Sequence, residues 1–179
     1  MRLSVLAFAA ALFCALLAAA PARAHDPFEA FHSATLHADR LEVVITMAPV
    51  TALKLIDPTA QLPALTAENL ATHRPRLLRE AATLFIFTSA RQPLAARSAT
   101  IELSDENDLI FRLTYPRPAA GPFYISAAYL RRLGDGYGGL FELTDDTGKN
   151  LGWEQLLWSR PNFEVTLPPG AQASPPAPH

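Results

Sequence analysis

Leu41, Val43, Ile45 and Met47 alternate with Glu42, Val44 and Thr46, a period of two that predicts a half-buried strand ended by Pro49. Val50 to Ile56 fits one or two helical turns before the Asp57-Pro58 turn. Thr66 can cap a helix, its hydroxyl accepting from the amides of the next turn. Pro75 is expected to interrupt that helix. A second piece, from Pro75 to Ala82, sets Leu77, Leu78 and Ala81 on one side and Arg76, Arg79 and Glu80 on the other, the pattern of a surface helix laid over a sheet.

From Thr83 the pattern returns to strands punctuated by turns. Leu84 to Thr88 is the first and Ala99 to Leu103 the next. The polar turn Asp105-Glu106-Asn107-Asp108 then leads into Leu109, Phe111, Leu113 and Tyr115. After Gly121-Pro122, one further strand places Phe123, Ile125, Ala127 and Tyr129 on a single face. Gly138 to Leu143, Leu151 to Trp158, and a closing strand with Phe163, Val165 and Leu167 inward complete the series. Seven or eight such strands with one helical insertion predict a mainly β domain. Because each strand has one apolar face to bury against a second sheet, the expected architecture is an antiparallel, immunoglobulin-like β-sandwich. Periodicity does not order the strands.

The first 24 residues depart from this pattern. Arg2 is followed by an almost unbroken Leu, Ala, Val and Phe run to Ala20; Pro21 stops it, and Ala22-Arg23-Ala24 supplies the small residues of a signal-peptidase site. Cleavage after Ala24 is expected. The A-x-A site argues against a retained anchor, and Cys14 lacks the small preceding residue of a lipidation site. Removing residues 1–24 of 179 leaves 155, enough for one domain, here residues 25–167, with its own core. Residues 168–179, rich in Pro, Ala and Gly, are expected to be a disordered tail.

Cleavage also changes the chemistry. Arg2 and Arg23 leave with the leader, so 13 basic residues face 17 acidic ones, and nucleic acid is excluded as an expected partner. The only Cys goes too, so the domain must stand without a disulfide. No later apolar run is long enough to cross a bilayer. The expected setting is secreted or periplasmic.

The secreted start at Ala24-His25, the early strand, the helical insert before a strand ending in Thr88-Ser89-Ala90-Arg91-Gln92-Pro93-Leu94, the strand into Tyr115-Pro116 and the closing Pro161-Asn162-Phe163-Glu164-Val165-Thr166-Leu167 can be taken together. They resemble the extracytoplasmic domain of HupE/UreJ-like membrane proteins, over most of residues 25–167. The resemblance implies a sandwich domain linked to the handling of nickel or another metal. In that family the closing strand leads into several membrane helices. Here it leads into the Pro-rich tail, so a transport role does not carry over.

The sharpest candidate chemistry is metal binding. A new N-terminal His25 offers its α-amine and an imidazole nitrogen to one ion, and a second His would complete a site suited to copper, with nickel the alternative from the resemblance. His32 and His37 are the nearest candidates, although in a strand over residues 31–37 they would lie on opposite faces. Met47 adds a thioether but reads first as core.

Other motifs dissolve on inspection. Gly134, Gly136 and Gly139 satisfy G-x-G-x-x-G, yet strands are expected on both sides, where a dinucleotide site needs a following helix. The Asp105–Asp108 and Asp145–Gly148 stretches read as turns rather than calcium loops. No catalytic constellation stands out, since the expected mature chain has no Cys, no G-x-S-x-G and no H-E-x-x-H.

Trp153 and Leu157 share one face of their strand, Leu156 and Trp158 the other, so one Trp is expected outside the main core, either under the helix of residues 66–82 or in a partner surface with Tyr137 and Tyr124. Two functional expectations follow. One is a periplasmic binding or accessory module that handles a metal; the other is a module that docks an envelope or membrane-protein partner through Trp153, Trp158 and Tyr137.

Overall fold

The structure, a computed structural model, describes residues 29–58 and 65–169. The expected leader and the candidate ligand His25 lie outside the described residues, as does the tail from Gly170. Among the described residues ten strands form two sheets: β1 (Glu29–Leu36), β2 (Arg40–Met47), β3 (Ile86–Ser89), β4 (Gln92–Pro93), β5 (Ser98–Leu103), β6 (Leu109–Pro116), β7 (Gly121–Ser126), β8 (Gly138–Asp145), β9 (Asn150–Leu157) and β10 (Asn162–Leu167). The six-stranded sheet runs β5-β6-β2-β1-β8-β9 and the four-stranded one β10-β7-β3-β4. The β-sandwich expected from the alternation is the fold observed. All neighbouring pairs are antiparallel except β1 and β8, which run parallel with Ala30 beside Gly139 and His32 beside Phe141.

The alternation converts directly into burial. Leu41, Val43, Ile45 and Met47 all point into the core, as do Leu109, Phe111, Leu113 and Tyr115 on the neighbouring β6. From the opposite sheet come Phe87, Phe123 and Ile125. Phe87 meets Tyr115 edge to face at 4.8 Å and stacks on Phe123 at 5.6 Å, tying the two layers together. Each such ring, fully withdrawn from water, contributes roughly 2 kcal/mol.

Among the described residues three helices, rather than one insertion, accompany the sheets: α1 (Pro49–Ile56), α2 (Ala67–Leu84) and α3 (Ala128–Leu133). They pack on one another, and α2 lies against β5. Pro75 does not divide α2, which is one helix through that residue. Leu70, Leu77, Ala81 and Leu84 form a single buried stripe spanning both sides of the proline, and this shared burial outweighs the missing amide. At its start the Asn69 amide donates to Thr66 Oγ1 at 3.4 Å, while the Thr66 amide donates to Asn69 Oδ1 at 2.8 Å. Thr66→Ala removes half of this box and should cost about 1 kcal/mol, read as a lower urea midpoint at unchanged slope.

The strand expected to reach Tyr129 ends at Ser126. Ala127 and Tyr129 are buried, as the alternation implied, but Tyr129 points inward from α3, whose chain leaves the helix at Gly134 with φ of 91°. Ala128 to Leu133 is a run of good helix formers closed by glycine, and this local preference overrides the period of two.

Candidate functional site

His32 sits mid-strand in β1 with its ring in the core, 2% exposed. Its Nδ1 lies 2.9 Å from the Leu140 carbonyl, which can only accept, so Nδ1 carries the proton. Nε2 therefore accepts from the Tyr129 hydroxyl at 2.6 Å. Phe85 and Phe141 complete the surroundings, with ring centroids at 5.0 and 6.3 Å. Burial drives the His32 pKa down to about 4, opposed by the hydrogen bond to Leu140. Burial likewise raises that of Tyr129. With both ring nitrogens engaged inside the core, His32 has no lone pair to offer a metal. The ligand role expected for it is corrected: it is a satisfied core histidine.

His37 follows β1 and faces the opposite way into charge. Nδ1 contacts the Asp146 carboxylate, and Nε2 lies 3.3 Å from that of Glu42, too poorly aligned for a hydrogen bond. Glu42 also accepts from Arg40 Nε at 2.8 Å; Arg40 first and then His37 hold its carboxyl below the usual range. The two carboxylates occupy opposite ring nitrogens, so they cannot share one ion with His37, and His37 does not converge with His32. Met47 is core, 1% exposed. Among the described residues no group of three or more His, Cys, Asp or Glu side chains is arranged to hold a metal ion.

The acidic turns are held by their own chemistry. Asp145 Oδ1 accepts from the Thr147 amide at 2.9 Å, the Thr147 hydroxyl at 2.6 Å and the Lys149 amide at 3.1 Å, which lowers its pKa and makes it the staple of a turn. Of the three glycines in the G-x-G-x-x-G pattern, Gly134 ends a helix and Gly139 lies inside β8. Among the described residues β8, not a helix, follows Gly134 and Gly136, so they do not form the anion cradle of a dinucleotide site.

The exposed apolar residues carry more information. Trp153 is 63% exposed and Trp158 41%. Neither packs under α2, which lies against β5 at the far edge of the sheet. Tyr137, expected beside them, is instead buried: Lys54 Nζ donates to its hydroxyl at 2.6 Å and sits 5.3 Å from its ring centre. The register supplies a neighbour that the sequence reading missed. On the outer face of the six-stranded sheet Phe31 lies beside Leu140 and Leu140 beside Gln155, so that Trp153 and Leu157 are the diagonal neighbours of Leu140. Phe31 is 41% exposed and Leu157 38%. Phe31, Leu140, Trp153 and Leu157 thus form an apolar strip across β1, β8 and β9.

Tyr124 belongs elsewhere. On the outer face of the four-stranded sheet it shares with Ile86, Thr88, Ser126, Asn162 and Glu164 a shallow groove of about 360 Å³. Ser126 donates to Asn162 Oδ1 there at 2.7 Å.

No protein-family model and no curated protein sequence matches the chain. Among the described residues no helix is long and apolar enough to cross a membrane.

Proposed function

We propose that this protein is an extracytoplasmic β-sandwich module that docks a protein partner through the strip of Phe31, Leu140, Trp153 and Leu157. The observation that carries the reading is the strip itself: Trp153 lies 63% exposed on the outer face of the sheet, beside two further exposed apolar residues. Isolated exposed apolar residues are ordinary, but a contiguous aromatic and aliphatic strip is the usual core of a protein contact. An anionic lipid surface is a poor match, because the chain is net acidic and the strip is flanked by Glu29 and Glu142 rather than by a basic cluster. The extracytoplasmic setting rests on the leader, and the resemblance to HupE/UreJ-like domains agrees with it. A metal role now rests on His25 alone.

A photo-activated benzoylphenylalanine at position 31, in cells making the protein, should yield one adduct of defined mass. The same probe at Glu102, on the far edge of the same sheet, should yield none. Trp153→Ala should then weaken binding of the identified partner about thirtyfold, the effect of losing a central anchor worth roughly 2 kcal/mol. Equal labelling at both positions, or none at position 31, would remove the reading.

A further inference from the structure

β9 is the outermost strand of the six-stranded sheet, eight residues long and without proline, and therefore an open edge of the kind proteins usually protect. Its backbone polarity follows from its end. The Leu157 amide donates to the Arg160 carbonyl at 3.2 Å, and the Arg160 amide returns to the Leu157 carbonyl at 2.9 Å. Leu157 therefore turns its backbone groups away from β8. Because these directions alternate along an antiparallel strand, Gln155 and Trp153 turn theirs the same way. Among the described residues neither makes a backbone hydrogen bond on that side.

We infer that the edge of β9 pairs with β9 of a second copy, antiparallel about a two-fold axis at Trp153. In this register Trp153 faces its own counterpart, and the two exchange N–H and C=O. Gln155 comes opposite Leu151 of the second copy, where β9 bulges against Leu143 and Thr144, so the outward-turned groups of Trp153 and Gln155 carry the pairing and Leu157, already bonded to Arg160, is left alone. The inward charge of Glu154, which by itself would discourage an edge contact, comes opposite Gly152 of the second copy, where no side chain opposes it. It is already paired with Arg160 at 3.4 Å. Centring the axis on Glu154 instead would set two carboxylates face to face, which is destabilising. The tryptophans gain a cross-strand aromatic pair, the kind of contact that stabilises antiparallel strands.

This goes beyond the docking reading and does not depend on it, because the pairing uses the backbone edge and leaves Phe31 and Leu140 uncovered. The two strips become one surface across a twelve-stranded sheet.

The test uses the full chain with Cys14→Ser, exported and processed by the cell, so that an introduced cysteine is the only thiol. Sedimentation equilibrium should give twice the monomer mass. Trp153→Cys should be joined into a covalent dimer by a short bis-maleimide. Gln155→Cys should not, because the two copies of residue 155 are separated by four residues of strand, about 13 Å. Gln155→Pro, which removes an edge donor without touching the pairing to β8, should leave a folded monomer by circular dichroism. A wild-type chain that stays monomeric at its highest soluble concentration would overturn the inference. So would a dimer that survives Gln155→Pro or cross-links equally well through residue 155. A wild-type chain that is monomeric yet gives the position-31 adduct would sink this pairing alone, and a wild-type dimer without that adduct would sink the docking reading alone.

Discussion

Gly139→Ala is expected to destabilise the protein by about 3 kcal/mol or more, the upper end of what overpacking costs, and to leave little folded chain in mild urea. Gly139 stands where β8 runs parallel to β1, beside Ala30. A Cβ there would collide with the Ala30 carbonyl oxygen and would also come within 2.6 Å of His32 Cε1. The first obstacle is backbone and cannot rotate away. Relief of the first requires that β1 and β8 separate and relief of the second that the His32 ring move, which breaks its bonds to Leu140 and Tyr129. A buried polar group left without its partner adds roughly 1–3 kcal/mol of its own. An alanine variant within about 0.5 kcal/mol of the parent in urea unfolding would show that β1 and β8 can separate at little cost. The glycine that completes a nucleotide-like motif thus serves a close approach between strands around a buried histidine.

This histidine shows where sequence reading reaches its limit. Periodicity placed β2, β6 and β8 well because their buried apolar residues recur at every second position, and such a period is a property of near neighbours in sequence. It also set His32 and His37 on different faces. What it could not see was Tyr129, whose hydroxyl satisfies His32 across 97 positions of sequence from an element that reads as strand. Nor could it see the strip, because Phe31 meets Leu140 only through the parallel β1–β8 pair, which joins distant segments and has no local signature. Trp153 was legible as a misfit, since its strand is apolar on both faces. Tyr137 was not, because an aromatic residue in a glycine-rich turn looks exposed until α1 brings Lys54 to it. The β3–β4 hairpin was hidden for the opposite reason: Ala90 and Arg91 adopt φ of 50° and 63°, values that ordinarily announce themselves through Gly or Asn.

Acid should weaken the fold by a similar amount through His32 alone. Above the ordinary value of 6.5 the imidazole is neutral in both the folded and the unfolded chain, and pH has no effect through this group. Between 6.5 and about 4 the unfolded chain binds a proton that the folded core refuses, so stability falls as pH falls; below about 4 both states are protonated and the loss is complete. The interval corresponds to about 3 kcal/mol. The charge is refused because the ring is withdrawn from water, with Phe85 and Phe141 packed against it. Tyr129 is the only titratable side chain bonded to the ring, and burial moves its pKa upward, away from this range. The carboxyls of Glu42 and Asp145, held low by their partners, act in the same direction, but they are common to any His32 variant. His32→Gln separates the contributions, since its amide keeps a donor and an acceptor and does not titrate. The variant should be less stable at pH 7 and lose about 3 kcal/mol less than the parent between pH 7 and pH 4, as read from urea unfolding at each pH. Equal losses in parent and variant, or an NMR midpoint for the His32 ring protons near 6.5, would mean that water reaches the ring and that the core around Tyr129 is open.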